Sequence, residues 1–155
     1  MERLEERWCP ATRTWLGGTS SDWFDTANWQ SGYFPANGDD VEIKQGASPV
    51  IPALDLSSNP YSPTFDSFKI LSTFSTGDVE LDADAGFGVT TLMDLHSSWS
   101  GSIVFGTTSK ILVLNGGTVN WKGGSFASSG GYTDTAGLFL DGATMVASLD
   151  ANIIT

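Results

Sequence analysis

Two stretches in the C-terminal third of the chain share one pattern. Residues 112–119 have the sequence Leu-Val-Leu-Asn-Gly-Gly-Thr-Val, and residues 138–145 have the sequence Leu-Phe-Leu-Asp-Gly-Ala-Thr-Met, 26 positions later. Proteins that stack one structural unit on the next repeat at periods of about 20 to 50 residues. Stacked units also place like residues above one another. The two stretches therefore predict a β-solenoid in which they occupy equivalent places in neighbouring coils.

Short apolar runs separated by turn residues make up most of the chain. Each run has only a few residues, Gly, Asn, Asp, Ser or Thr fills nearly every gap, and the chain contains 18 glycines. No segment keeps helical spacing for three turns, so we predict an all-β fold. Pro52 makes the run at 50–56 irregular or an edge. The other predicted strands are 41–43, 68–71, 79–81, 89–95, 103–105, 111–114, 119–121, 138–140 and 145–147.

An antiparallel β-sandwich is the alternative architecture. Asn37-Gly38, Asn115-Gly116 and Asp141-Gly142 are dipeptides typical of two-residue hairpin turns. Such turns join antiparallel strands, whereas a solenoid joins strands that stack in parallel. Both architectures are compatible with these dipeptides, and the repeat at 26 residues favours the solenoid.

The segment from Thr14 to Ile43 has a dense aromatic pattern. Trp15 precedes two glycines, Trp23 and the pair Asn28-Trp29 follow, and Phe34-Pro35 leads to the sequence Gly-Asp-Asp-Val-Glu-Ile at 38–43. This order resembles the opening of parallel β-helix regions in large bacterial surface and autotransporter-like proteins. The resemblance implies a right-handed parallel β-helix, export to the cell surface or beyond, and a structural or adhesive role without catalytic residues.

Two further stretches are similar to such proteins. The sequence Leu-Asn-Gly-Gly-Thr at 114–118, followed by Trp121-Lys-Gly-Gly, is similar to their repeated coils. The segment 4–11, with Leu-Glu-Glu-Arg and then Pro-Ala, is similar to a stretch that precedes very large secreted proteins in some bacteria. Members of the family run for hundreds of residues, so we expect that the coils of this chain are truncated at the C-terminus.

The first coil of a solenoid exposes an apolar core and unpaired backbone groups, which a capping element must cover. We therefore divide the chain into a flexible charged leader at 1–13, a capping segment at 14–43 and solenoid coils at 44–155. The opposite end of the coils is left open, which predicts homo-oligomers through the solenoid ends. The predicted cap residues are Trp15, Trp23, Trp29, Pro35, Gly38 and Asp39.

The charge of the chain excludes one class of partner. Seven Lys and Arg against 18 Asp and Glu give a net charge of −11, and phosphate backbones bind clustered cations. Nucleic acid is therefore excluded. No apolar run approaches the ~18 residues of a membrane span, and no standard signal peptide is visible at 1–10.

No set of residues predicts catalysis. His96 is the single histidine and Cys9 the single cysteine, so we predict no catalytic residue, no cofactor and no zinc site. Glu80, Asp82 and Asp84 share one side of a predicted strand and are a weak candidate for calcium or for a paired-carboxylate enzyme. A solvated strand face is the commoner explanation of such acids.

The leading hypothesis is therefore a non-enzymatic structural or adhesive scaffold of a secreted or cell-surface protein. The alternative is a carbohydrate-binding or polysaccharide-lyase-like domain, in which exposed Trp99 or Trp121 stack on a glycan.

Overall fold

The computed structural model describes residues 10–17, 20–44, 53–54, 62–73, 77–81, 85–106, 108–128 and 136–147. Within these residues there are twelve strands and one short 3₁₀ turn at Thr26–Asn28. The strands are β1 (Thr12–Trp15), β2 (Asp40–Ile43), β3 (Ala53–Leu54), β4 (Thr64–Ile70), β5 (Val79–Leu81), β6 (Gly86–Leu95), β7 (Ser102–Phe105), β8 (Lys110–Val113), β9 (Thr118–Trp121), β10 (Ser125–Ser128), β11 (Gly137–Leu140) and β12 (Thr144–Ala147).

The strands stack as a β-solenoid of about four turns. One sheet has the order β1-β2-β4-β6-β8-β11, with β9 and β12 continuing from β6, and the other has the order β10-β7-β5-β3. Every strand ladder described is parallel. The solenoid prediction is confirmed. The sandwich alternative is wrong, because Asn115-Gly116 and Asp141-Gly142 form corners within one coil where hairpins would reverse the chain.

The long strand β6 organises the larger sheet. Its first half, from Gly86 to Val89, pairs with β8, and its second half, from Leu92 to Leu95, pairs with β9. The next coil repeats this division, since β11 pairs with β8 and β12 pairs with β9. From β8 onward the coil therefore turns a corner at the point where β6 runs on as a single strand.

The register between the last two coils differs from the predicted one by a residue on one side of this corner. Thr144 lies opposite Thr118, which is the predicted offset of 26, but Leu138 lies opposite Ile111 and not Leu112. The corner at 114–117 is one residue longer than the corner at 141–143, which accounts for the change. Leu112 consequently faces outward and is 38% exposed.

Side chains alternate between the core and the outer face, as a pleated strand requires. In-register columns of apolar residues fill the interior, so that each coil buries its apolar face against the coils on either side. All members of two central columns are buried: Trp15, Ile43, Ile70, Leu95 and Trp121 in one, and Val41, Phe68, Met93 and Val119 in the other.

Most predicted strands are present, and three differences are informative. β1 begins at Thr12, so the first strand crosses the boundary predicted between the leader and the cap. β4 begins at Thr64 and has a bulge between Phe65 and Ser67, which the turn-like composition of that stretch concealed. β10 at Ser125–Ser128 was missed because it has a single large apolar residue, Phe126. Of the run at 50–56, only β3 lies within the described residues.

Among the described residues, no helix is long and apolar enough to cross a membrane.

Candidate interaction surfaces

The β1 end of the solenoid is filled by three tryptophan rings. Trp15 stacks on Trp23 with ring centroids 6.2 Å apart, and Trp29 packs edge-on against both, at 5.2 Å from Trp15 and 4.7 Å from Trp23. Each side chain is at most 3% exposed. The Trp29 indole Nε1 donates to the Trp23 carbonyl oxygen at 2.8 Å. Aromatic edge-to-face contacts of this kind add to the energy of area burial.

The connection at 20–30 is held in place by Asn28, which is fully buried. Its Nδ2 donates to Ser20 Oγ at 3.0 Å and to the Asp22 carbonyl oxygen at 2.9 Å, and its Oδ1 accepts from the Ser20 amide. Asp25 accepts from the Ala27 amide and so caps the 3₁₀ turn. Buried polar groups need such partners. This network fixes the position of Trp29 beside β1.

The backbone of the same connection covers the outer edge of β1. The Leu16 amide donates to the Asn28 carbonyl at 2.8 Å, and the Gln30 amide donates to the Thr14 carbonyl at 2.9 Å. These bonds form an antiparallel bridge between Trp15 and Trp29 on the side of β1 that faces away from β2. An uncovered edge strand would present unpaired N–H and C=O groups to other chains. At β1 this edge is closed.

An ion pair ends one interior column at this side. Arg13 lies opposite Val41 in the ladder, and its Nε is 2.9 Å from Asp39 Oδ2. The Arg13 guanidinium also donates to Ser31 Oγ at 3.1 Å and lies 5.7 Å from the centre of the Tyr33 ring. Asp39 accepts further hydrogen bonds from the amides of Ala11 and Ala36. A charged group therefore follows the apolar column where the coils begin.

The six predicted cap residues divide between two places. The three tryptophans and Asp39 lie at the β1 end, and Pro35 is buried in the connection to β2. Gly38 instead lies at the corner before β2, where its φ of +81° suits glycine. Its amide donates to the Thr64 carbonyl at the start of β4, at 2.8 Å. Gly38 thus joins two consecutive coils and is not part of the covered edge.

The β11–β12 end differs from the β1 end. Leu140 is 40% exposed although it lies opposite buried Val113, and Met145 is 40% exposed although it lies opposite buried Val119. Within the described ranges, no strand pairs with the far edges of β11 and β12. Neither strand contains a charged residue. We call β11 and β12 together the terminal rung.

A shallow groove runs along the outer face of the larger sheet. It has a volume of about 480 Å³, and two glycines, Gly86 and Gly88, form its floor. Thr64 lies opposite Gly88 on one side and Leu112 on the other, so a row without side chains separates two rows that have them. Lys110 is the charged residue of the lining. The groove offers an apolar surface and one cation, and its lining contains no carboxylate or histidine.

Trp99 and Trp121 are not glycan platforms, because both rings lie inside the solenoid. Trp99 is 1% exposed and its Nε1 donates to the Gly77 carbonyl at 2.7 Å. Trp121 is 6% exposed, donates to the Gly124 carbonyl at 3.1 Å and packs edge-on against Phe126. Stacking on a sugar requires an accessible ring face. The prediction of exposed stacking residues is therefore wrong.

The other residues with potential chemistry are placed as follows. Glu80 is exposed on the outer side of β5, while Asp82 and Asp84 lie outside the described residues, so the calcium candidate stays a prediction. In the part of the chain that the structure describes, no three His, Cys, Asp or Glu residues are grouped as metal ligands. The Nδ1 atom of His96 accepts from the Ser98 amide at 3.1 Å in a local turn. Cys9 lies outside the described residues.

Sequence reasoning missed Arg13 and Asn28, which complete the closed end. A signal for Arg13 was present, because it is two positions before Trp15 and must share its side of a strand. Asn28 gave no comparable signal, since an asparagine in a loop ordinarily faces solvent.

Comparison of the chain with protein-family models, with curated proteins and with solved structures finds no match. The two ends of the solenoid are therefore interpreted from their own residues.

Proposed function

We propose that this chain is a non-enzymatic structural segment of a secreted or cell-surface bacterial β-solenoid protein, with a scaffolding or adhesive role. We further propose that it self-associates through the terminal rung. The fold supports the scaffold part of this proposal, because stacked coils give a rod whose length grows with each coil. The aromatic pattern at 14–43, which resembles the opening of bacterial surface proteins, supports the location.

One observation carries the proposal of self-association: the two ends of the same solenoid have opposite character. At β1, backbone hydrogen bonds cover the strand edge and Trp15 is fully buried. At the terminal rung, Leu140 and Met145 lie in columns that are buried in the preceding coil, yet each is 40% exposed. Burial of apolar area and pairing of edge strands both favour contact of this rung with another surface.

The test is sedimentation velocity of the purified chain over a wide range of concentration. We expect the weight-average sedimentation coefficient to rise with concentration. A Met145→Glu variant, which places a charge on the terminal rung, should stay monomeric. Tyr33→Glu is the matched control, because Tyr33 is a large exposed side chain near the opposite end, at 67% exposure. A chain that stays monomeric throughout the range would contradict self-association.

A further inference from the structure

We infer that this self-association is tail to tail: two copies meet through their terminal rungs across a two-fold axis, and assembly stops at the dimer. This inference rests on the proposed self-association and adds its symmetry and its limit. Three features of the two solenoid ends carry it.

The first feature is that the β1 end has no free edge to accept a strand. The outward-facing groups on β1, the Thr14 carbonyl and the Leu16 amide, are already bonded to Gln30 and Asn28. A head-to-tail contact would pair β1 of one copy with β11 or β12 of the next and would require these bonds to break. Repeated head-to-tail contacts build open filaments. The closed edge of β1 therefore opposes filament growth.

The second feature is the position of Arg13 at the end of an interior column. In a head-to-tail stack, Met145 of one copy would continue the column that Arg13 ends, since residues 13, 41, 68, 93, 119 and 145 lie in successive register. The Arg13 guanidinium, paired with Asp39, would then be buried against a thioether. Burial of a charge against an apolar group is unfavourable unless its polar partners are kept.

The third feature is the charge of the terminal rung, which selects a second copy as the occupant. Two copies, each with a net charge of −11, repel one another unless the contact is free of charge. The strands of the terminal rung, with the sequences Gly-Leu-Phe-Leu and Thr-Met-Val-Ala, meet this condition. Four large apolar side chains of this rung are at least 38% exposed: Phe139, Leu140, Met145 and Val146. A two-fold axis matches this rung with itself and leaves no further rung to extend the assembly.

Cysteine crosslinking distinguishes the two arrangements. In a Cys9→Ser background, which removes the single native thiol, Val146→Cys and Tyr33→Cys mark the open and closed ends. With a short bismaleimide, the tail-to-tail arrangement yields a covalent Val146→Cys homodimer and no mixed product with Tyr33→Cys. A head-to-tail arrangement yields the mixed product instead. Light scattering in parallel should give the mass of two chains and no larger species.

The rung variants complete the test. Met145→Glu and Val146→Glu should each weaken the dimer by about tenfold or more, as loss of a central contact does, while Tyr33→Glu leaves it unchanged. Circular dichroism of each variant checks that the sheet is kept. The dimer of the intact chain, crosslinked at residue 146 and weakened by the rung variants, is the result that supports the inference.

Each other outcome has a separate meaning. Filaments with the mixed crosslink overturn the tail-to-tail inference and leave the proposed function standing. A monomer at all concentrations overturns both. A full chain that is monomeric but dimerises after deletion of residues 148–155 identifies that segment as the natural occupant of the rung, and this too overturns the inference.

Discussion

The indole ring of Trp99 lies against the Cα atom of Gly124, where a Cβ atom would collide with the ring carbons Cε3 and Cζ3. Gly101 is equally close to the Trp99 indole nitrogen. Two glycines in consecutive coils thus leave the space that one tryptophan fills. The ring is held there by the bond from its Nε1 to Gly77.

Gly124→Ala should therefore destabilise the fold by about 2 to 5 kcal/mol, because it adds overpacking to the cost of a positive φ. Gly116→Ala is the matched control, since Gly116 has a φ of +87° with no atom within 4 Å of its added Cβ. The control should cost only about 1 to 2 kcal/mol. Urea denaturation followed by tryptophan fluorescence measures both. Equal losses would mean that the contact with Trp99 relaxes freely.

The same contact explains what the sequence could and could not predict. Period-two alternation placed Val41, Ile43 and Val119 in the core correctly, because alternation depends only on neighbours in one strand. The placement of Trp99 failed, because its serine-rich and glycine-rich surroundings are typical of a surface loop. The glycines that make room for the ring lie in other coils, at Gly77 and Gly124, and their contact with it depends on how the coils stack.

Register is a second limit of the same kind. The repeat of 26 residues located Thr144 over Thr118, but the offset became 27 across β8 and β11. A single extra residue at the corner 114–117 changed which leucine faces the core. Sequence similarity between coils does not report the length of each corner, so the inward side chains of each strand had to come from the structure. The open end was predicted, whereas the residues that close the other end required the positions of Arg13 and Asn28.

Asp39 should contribute more to stability than its single ion pair indicates. It accepts from Arg13 Nε at 2.9 Å and from the backbone amides of Ala11 and Ala36. Asp39→Ala should therefore destabilise the fold by about 2 to 3 kcal/mol, since it leaves several donors without a partner. Asp39→Asn, which keeps one acceptor oxygen, should cost less. Glu80→Ala, at an exposed site on β5, should lie within about 0.5 kcal/mol of the parent chain. A loss at Asp39 no larger than this control would contradict the network.

Trp23 and Trp29 offer a comparison of two buried indoles with different hydrogen bonding. Trp29 Nε1 donates to the Trp23 carbonyl, whereas Trp23 Nε1 is buried without an acceptor among the residues that the structure describes. Substitution by phenylalanine removes the N–H and similar ring volume in both cases. Trp29→Phe should therefore cost about 1 to 3 kcal/mol more than Trp23→Phe, because it leaves a buried carbonyl unpaired. Chemical denaturation of the two variants measures this difference, and a larger loss at Trp23 would reveal an acceptor for its indole.

The two glycines of the outer groove should respond differently to alanine. A Cβ at Gly86 would lie 2.7 Å from the Lys110 carbonyl oxygen, which the ladder between β6 and β8 holds in place. A Cβ at Gly88 would instead meet the side chain of Thr64, at 3.0 Å from its Oγ1. Backbone cannot move without loss of strand pairing, whereas a threonine side chain can rotate.

Gly86→Ala should thus destabilise the fold by about 1 to 3 kcal/mol. Gly88→Ala should be near neutral, because the lower entropy of the unfolded alanine chain, worth about 0.5 to 1 kcal/mol, offsets the displaced Thr64. Adding Thr64→Ser to Gly88→Ala should remove the remaining strain, since the methyl group in contact with the new Cβ is then gone. Thermal and urea denaturation of the four chains decide the matter. Equal losses at Gly86 and Gly88 would show that the groove floor is set by the flatness of β6 and not by these two contacts.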